Sequence, residues 1–279
     1  MRFRVLGPVR LEPRTPSAAK QRAVLAALLL RAGGVVSASA LFDELWPQGP
    51  PRTAATTLQV YVSHLRKAIA EGGDAPLVTR APGYLLRVAP GEFDLARFEE
   101  LHRDGRGAAR RGDFAAVSRT LGEGLALWQG PAVSGVEQGP ALAAAAARLE
   151  ELRLEALELR IEADLRLGRH EELTGELTEL AHAHPLREQL HCHLMEALRR
   201  AGRTADALRA FRTVRRALHD ELGVEPGPAL ARAHSRVVGG PAPVSRPVRP
   251  RTAFPADSRR ASAVPSPDDR VIRAHRRSA

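Results

Sequence analysis

Apolar residues follow three different patterns along the chain. Up to about residue 90, short strand-like runs alternate with short helical ones. RFRVLGPVRLE, Arg2 to Glu12, is apolar on both sides of Gly7-Pro8 and predicts two short strands. KQRAVLAALLLR, Lys20 to Arg31, carries Val24, Leu25, Leu28 and Leu29 at helical spacing, and Gly33-Gly34 stops it. A second, short helix is expected next, capped by Ser37 or Ser39 and carrying Leu41, Phe42, Leu45 and Trp46. Pro47, Pro50 and Pro51 end it. Thr53 can cap a third helix, TAATTLQVYVSHLRKAI, in which Leu58, Val62, Leu65 and Ile69 form one buried stripe. Leu77-Val78-Thr79 and Tyr84 to Val88 then predict two strands around Arg80-Ala81-Pro82-Gly83.

From about residue 91 the pattern is helix after helix. Asp94 can cap DLARFEELHRDGRGAARRGD; FAAVSRTLGEGLALW follows, then a break at Gln129-Gly130-Pro131. A long helix is expected over about 140–167, and further ones over about 170–183, 186–201, 204–221 and 228–237. These helices repeat. Gly168 and Gly202 are 34 residues apart, as are Leu177 and Phe211, and Leu180 and Val214. Gly112 marks a third copy, with Leu121 nine residues beyond it. A 34-residue period with glycine between paired helices is tetratricopeptide-like, and such pairs stack on a shared core. Trp128, Met195 and Phe211 are expected in that core. Residues 241–279 hold only isolated apolar residues among Pro, Arg, Ser and Ala, too few to offset the entropy of ordering.

The expected fold is therefore mainly α. Residues 1–90 form a winged helix-turn-helix of mixed α/β type, residues 91–240 an all-α tetratricopeptide-like domain, and residues 241–279 a disordered basic tail. A helix in the third position of a winged helix fits the DNA major groove, and a basic wing tip can lie on phosphate. On this helix Thr56, Val60, Ser63, His64 and Lys67 fall away from the apolar stripe, with Arg66 at its side. Val60 suits a thymine methyl, whereas His64 can meet a base, a phosphate or only water. Arg52, Thr56, Ser63, Arg66 and Arg80 are the candidates for backbone contact, and Lys67 also carries the charge to meet phosphate.

Charge agrees with a polyanionic partner. The net +10 is unevenly placed: residues 1–90 hold 12 Lys+Arg against 5 Asp+Glu, residues 91–240 hold 21 against 24, and residues 241–279 hold 9 against 3. The basic tail can add non-specific affinity for DNA. Cys192 is the one cysteine, so no internal disulfide forms, and no apolar run reaches membrane-spanning length. The expectation is a cytoplasmic, nucleoid-associated chain with no membrane partner.

Other chemistries find little support. His182, His184, His191, Cys192 and His193 crowd into twelve residues, but adjacent positions on a helix do not share a face, and no metal site is expected. His170-Glu-Glu-Leu-Thr174 lacks the second histidine of a zinc protease motif, and no nucleophile elbow or phosphate-binding glycine loop is present. No catalytic residue and no cofactor is expected.

The segments RFRVLGPVRL, KQRAVLAALLLRAGGVVSASALFDELWP, PPRTAATTLQVYVSHLRKAI and LVTRAPGYLLRV resemble the OmpR-type winged helix of the Streptomyces antibiotic regulatory protein family. GEFDLARFEELHRDGR, ALWQGPAV and the long segment from His184 to His234 resemble that family's bacterial transcriptional activation domain. Together they cover about residues 1–240, in the family's domain order. The resemblance implies base contact through Thr57, Val60, His64 and Lys67. It implies an activator that binds direct repeats in double-stranded promoter DNA of secondary-metabolite (antibiotic) genes. It further implies a homodimer or side-by-side binding, and recruitment of RNA polymerase holoenzyme. Two features depart from the family: His64 stands where arginine is usual, and the loop from Leu11 to Lys20 is short. With no nucleotide-binding motif and no receiver domain ahead of the head, action without ATP or aspartyl phosphorylation is expected. On the residues alone, a repressor or ligand-responsive regulator with the same head, or a protein-interaction scaffold, stays open.

Overall fold

The computed structural model describes residues 1–70 and 76–239; the expected tail, 241–279, lies outside the described residues. The chain opens with a two-stranded hairpin, β1 (Phe3–Arg4) and β2 (Arg10–Leu11), turning at Gly7-Pro8 as the pattern predicts. Then come α1 (Ala19–Leu29), β3 (Val35–Ser37), α2 (Ala38–Leu45), α3 (Ala54–Ile69), β4 (Leu77–Arg80) and β5 (Gly83–Leu86). The second sheet is antiparallel in the order β3-β5-β4, so β5 is its centre. Its first strand, β3, is an addition to the expected two-stranded wing. Val35 and Val36 continue straight out of the Gly33-Gly34 turn and pair with Leu85 and Tyr84. A three-residue strand is too short to announce itself by alternation.

Of the expected caps, the one on α2 forms and the other two do not. Ser37, rather than Ser39, caps α2, accepting from the Ala40 N–H at 3.1 Å. Thr53 precedes α3, but its side chain makes no capping bond. Asp94 is the first residue inside α4 (Asp94–Arg110), not its cap. Its carboxylate faces backward instead and accepts the Val5 and Leu6 N–H groups of the first hairpin at 3.0 Å.

The body continues with α5 (Phe114–Leu125), α6 (Pro140–Arg166), α7 (His170–Ala183), α8 (Glu188–Arg200), α9 (Thr204–Leu222) and α10 (Pro228–Gly239). The repeat is real at the level of single hydrogen bonds. Gly112, Gly168 and Gly202 all take positive φ, at 72°, 84° and 75°. Each donates its N–H to the carbonyl three residues back (Ala109, Leu165, Arg199). The next residue, Asp113, Arg169 or Arg203, donates five back, to Ala108, Asp164 or Leu198. This is the Schellman closure of a helix, which requires a left-handed residue and so glycine. Trp128 and Met195 are buried as expected. Phe211 is half-buried, stacked on His234 with centroids 4.0 Å apart.

Buried apolar residues form two clusters. One runs without interruption from Phe3 and Leu58 through Phe98, Trp128 and Leu149 to Ala163; the other gathers Ile161 to Val237. The changeover lies near the end of α6, so the winged helix shares its core with α4, α5 and most of α6. Backbone stitching reinforces this. The segment 129–134 donates the Gln129 and Val133 N–H groups to the Leu6 and Val5 carbonyls at 2.7 and 2.8 Å. Among the described residues, no helix is long and apolar enough to cross a membrane.

The histidine-rich stretch is resolved into packing roles. His191 lies 3.1 Å from the Pro185 carbonyl through Nε2, and His193 lies 3.1 Å from the Gln189 amide. Burial pushes the Cys192 thiol up to about 11. Among the described residues no group of three His, Cys, Asp or Glu is placed to hold a metal ion. Burial also lowers His102, His191 and His193 below the ordinary histidine value. Their neutral forms favour the fold above about pH 6.5, and that stability is lost as pH falls through the lowered values. A depression of one pH unit corresponds to about 1.4 kcal/mol. The urea midpoint should drop between pH 7.5 and pH 5.5 at constant salt. An unchanged midpoint would show that the charged rings find partners in the fold.

Candidate nucleic-acid interface

Helix α3 is set by its inner stripe. Ala54, Leu58, Val62, Leu65 and Ile69 are buried, and α1 and β4 pack against this side. Burial of these side chains, at about 25 cal/mol per Å² of apolar surface, fixes the rotation of the helix about its axis. The opposite face is therefore determined as well. Thr56, Val60, Ser63 and Lys67 lie on it in one line, all exposed, with Val60 at 45%. Val60 is thus a large apolar side chain held out in water at the centre of a polar helix face. Thr57 is half-buried on the flank of this line.

His64 is exposed beside the line, and its Nδ1 lies 3.0 Å from the side-chain amide nitrogen of Gln21 on α1. With the amide donating, His64 carries its proton on Nε2 and offers that single donor outward. Arg66 turns to the wing. Its Nε donates to the Leu77 carbonyl at 3.0 Å and its Nη2 to the Thr79 hydroxyl at 2.6 Å. It ties α3 to β4 in the free protein. Arg52 is exposed in the turn before α3, and Arg80 is exposed at the end of β4 where the wing reverses. Among the described residues Arg52, Lys67 and Arg80 make no ion pair with a carboxylate. Lys67 is one of two lysines in the sequence; the other, Lys20, donates its Nζ to the Leu45 carbonyl at 2.8 Å and lies over Trp46.

The structure brings Arg52, Thr56, Val60, Ser63, His64 and Lys67 onto one surface, with Arg80 on the adjoining wing. Two residues escaped the sequence pattern. Gln59 is exposed on the outer side of α3, one turn before Ser63, and helical spacing from Thr56 would have included it. Gln21 acts through His64 from 43 residues away, which no local pattern contains. At the first turn of α3 the backbone N–H groups are not covered by a Thr53 cap, and a helix start of this kind is suited to an anion.

Comparisons with known proteins agree with this fold. Residues 93–238 match the bacterial transcriptional activator domain, and residues 14–86 match the C-terminal domain of transcriptional regulatory proteins. The chain is 43% identical over 242 residues to the regulatory protein DnrI of Streptomyces peucetius, covering 82% of this chain and 89% of that protein. It is 43% identical over 243 residues to the regulatory protein AfsR of Streptomyces coelicolor, covering 85% of this chain but 24% of AfsR. A solved structure of Mycobacterium tuberculosis EmbR, in complex with a low-affinity phosphopeptide, superposes with a TM-score of 0.80 at 34% identity. The match covers 85% of this chain and 64% of the EmbR chain. With a winged helix whose third helix presents a polar, basic face, followed by paired helices on glycine turns, the chain belongs to the Streptomyces antibiotic regulatory protein family of DNA-binding transcriptional regulators.

Proposed function

We propose that the chain is a sequence-specific activator of secondary-metabolite genes. It lays α3 in the major groove of promoter DNA and binds as a dimer, or as side-by-side copies, on direct repeats. From there it recruits RNA polymerase holoenzyme. The observation that carries this reading is the line Thr56, Val60, Ser63 and Lys67, exposed on a helix whose rotation is held by a buried stripe. Thr57, Val60, His64 and Lys67 meet base edges, and the Lys67 charge also neutralises a phosphate. Arg52, Thr56, Ser63 and Arg80 meet phosphate, and Arg66 reaches phosphate only by extending past its bonds to β4. The similarity to DnrI and AfsR supports a role in transcription; polymerase recruitment is tested with purified polymerase on the chain's own promoters. Transcription falling on addition of the protein would make it a repressor.

Two substitutions separate the roles on the helix. Lys67→Ala should weaken binding to every fragment and lower the slope of log affinity against log salt by about one. Val60→Ala should cost about 1 kcal/mol on the preferred site alone, because a thymine methyl loses its apolar partner. Mobility shifts at two salt concentrations measure both. Lysine acetylation gives an independent readout, since Lys20 is engaged with Leu45 and Lys67 is exposed. DNA should protect Lys67. Uniform weak binding to all fragments, with Lys67 labelled equally in both states, would sink the assignment.

A further inference from the structure

A cavity of about 560 Å³ lies away from α3, where the back of the winged helix meets the start of α6. Its walls are apolar: Leu30 just after α1, Val35 and Val36 of β3, Pro82 of the wing turn, and Leu142 and Ala145 of α6. Val35 is 39% exposed, an apolar side chain left open beside it. The volume is in the range of small-molecule sites, and such sites favour junctions between structural units.

The polar groups of the wall narrow the choice of occupant. Glu44 of α2 is 4% exposed, and its Oε2 accepts from the Ala141 and Leu142 N–H groups at the first turn of α6, at 2.9 and 3.3 Å. Its Oε1 is buried without a hydrogen-bond partner. The helix start is thereby filled by the protein's own carboxylate and is not open to an anion. The cationic groups are open. Arg31 makes no ion pair among the described residues. Arg148 has its nearest carboxylate, Glu99, at 3.8 Å, with both side chains largely exposed, a pairing of little strength. One apolar wall and two exposed guanidinium groups define the complement.

We propose that this cavity is an effector site for a small amphipathic anion: an apolar ring system or chain carrying one acidic group for Arg31 and Arg148. Its occupancy is felt by the wing. The Pro82 carbonyl accepts from the Ala38 N–H at 3.2 Å, and Val35 and Val36 pair with Leu85 and Tyr84 of β5. A ligand wedged between Pro82 and α6 therefore acts on the strand that carries the wing turn. The binding site stands independently of the reading of α3 as a DNA reader; the regulatory role rests on that reading.

The test uses the full chain with two probes, anilinonaphthalene sulfonate as fluorescent ligand and decanoate as competitor. The expected result is one saturable sulfonate site per chain, displaced by decanoate. Ala145→Phe, which puts a ring into the cavity beside Leu142, should abolish it. Arg31→Glu, at an exposed position that leaves the fold intact, should weaken decanoate at least tenfold. Titrations that both variants leave unchanged, or no saturable site at all, overturn the proposal. Saturating decanoate should shift the affinity for the promoter fragment at least fivefold, and DNA should shift decanoate affinity by the same factor. Binding with no such shift overturns the effector role. A chain that binds the ligand but no DNA overturns the reading of α3 and the effector role with it, while the titration still decides the site.

Discussion

Gly83→Ala is expected to lower the stability of the winged helix by about 3 kcal/mol and its DNA affinity at least tenfold. Gly83 opens β5, the central strand, opposite Ser37 on one side and Arg80 on the other. A Cβ at this position would overlap the Val36 carbonyl oxygen and come within 2.7 Å of Ser37 Cα. These are backbone atoms of a paired strand and cannot rotate aside as a side-chain end can. The ladder between β3 and β5 must open, and buried N–H and C=O groups lose their partners. The consequences reach the interface from two directions. Arg80 loses its position on the wing, and the shift carries β4, to which Arg66 is bonded through Leu77 and Thr79. Urea denaturation followed by circular dichroism, with a mobility shift on the same sample, measures both effects. Affinity within twofold of the parent, despite lost stability, would remove the wing from the interface.

Asp94→Ala should be at least as severe for stability, at about 4 kcal/mol, while leaving the α3 surface chemically intact. Asp94 is 2% exposed and accepts four hydrogen bonds: two from the Val5 N–H, shared between its oxygens, one from Leu6, and one from its neighbour Leu95 at 2.8 Å. Burial raises its carboxyl above the ordinary aspartate value, against the pull of the Leu6, Val5 and Leu95 N–H groups and of Arg4. Removing the carboxylate strands the Val5 and Leu6 N–H groups in the core, at about 1–3 kcal/mol each. Asp94→Asn keeps the shape but has one accepting oxygen, and should lose about half as much. Unfolding should stay a single transition in the parent, because the winged helix and the first body helices share one apolar cluster. If Asp94→Ala matches the parent midpoint, the hairpin is not anchored through this residue.

Much of the fold was legible because it is written in local terms. The stripe on α3, the limits of α7 at 170–183, and the three glycine turns all depend on contacts within a few residues, so spacing and composition report them directly. The candidate site was legible to the same extent, since a helix that buries Leu58, Val62, Leu65 and Ile69 must turn Val60, Ser63 and Lys67 outward. The partners of the flanking side chains were not. His64 meets Gln21 from 43 residues away, and Arg66 turns back to β4. Both arginine and histidine can face water or protein with similar free energy, and periodicity carries no information on that choice.

Sequence alone settled which segments are helices, where the paired helices repeat, and which face of α3 is free, because helix periodicity and glycine turns are short-range physics. Only the tertiary structure decided that the apolar cores divide inside α6 and that Asp94 bolts the body to the first hairpin, 89 residues upstream. It also decided that Glu44 occupies the start of α6, beside a cavity lined by Arg31 and Arg148. Such features depend on backbone donors finding acceptors far along the chain. A buried N–H needs a partner whatever its sequence separation, and which partner it finds is set by packing.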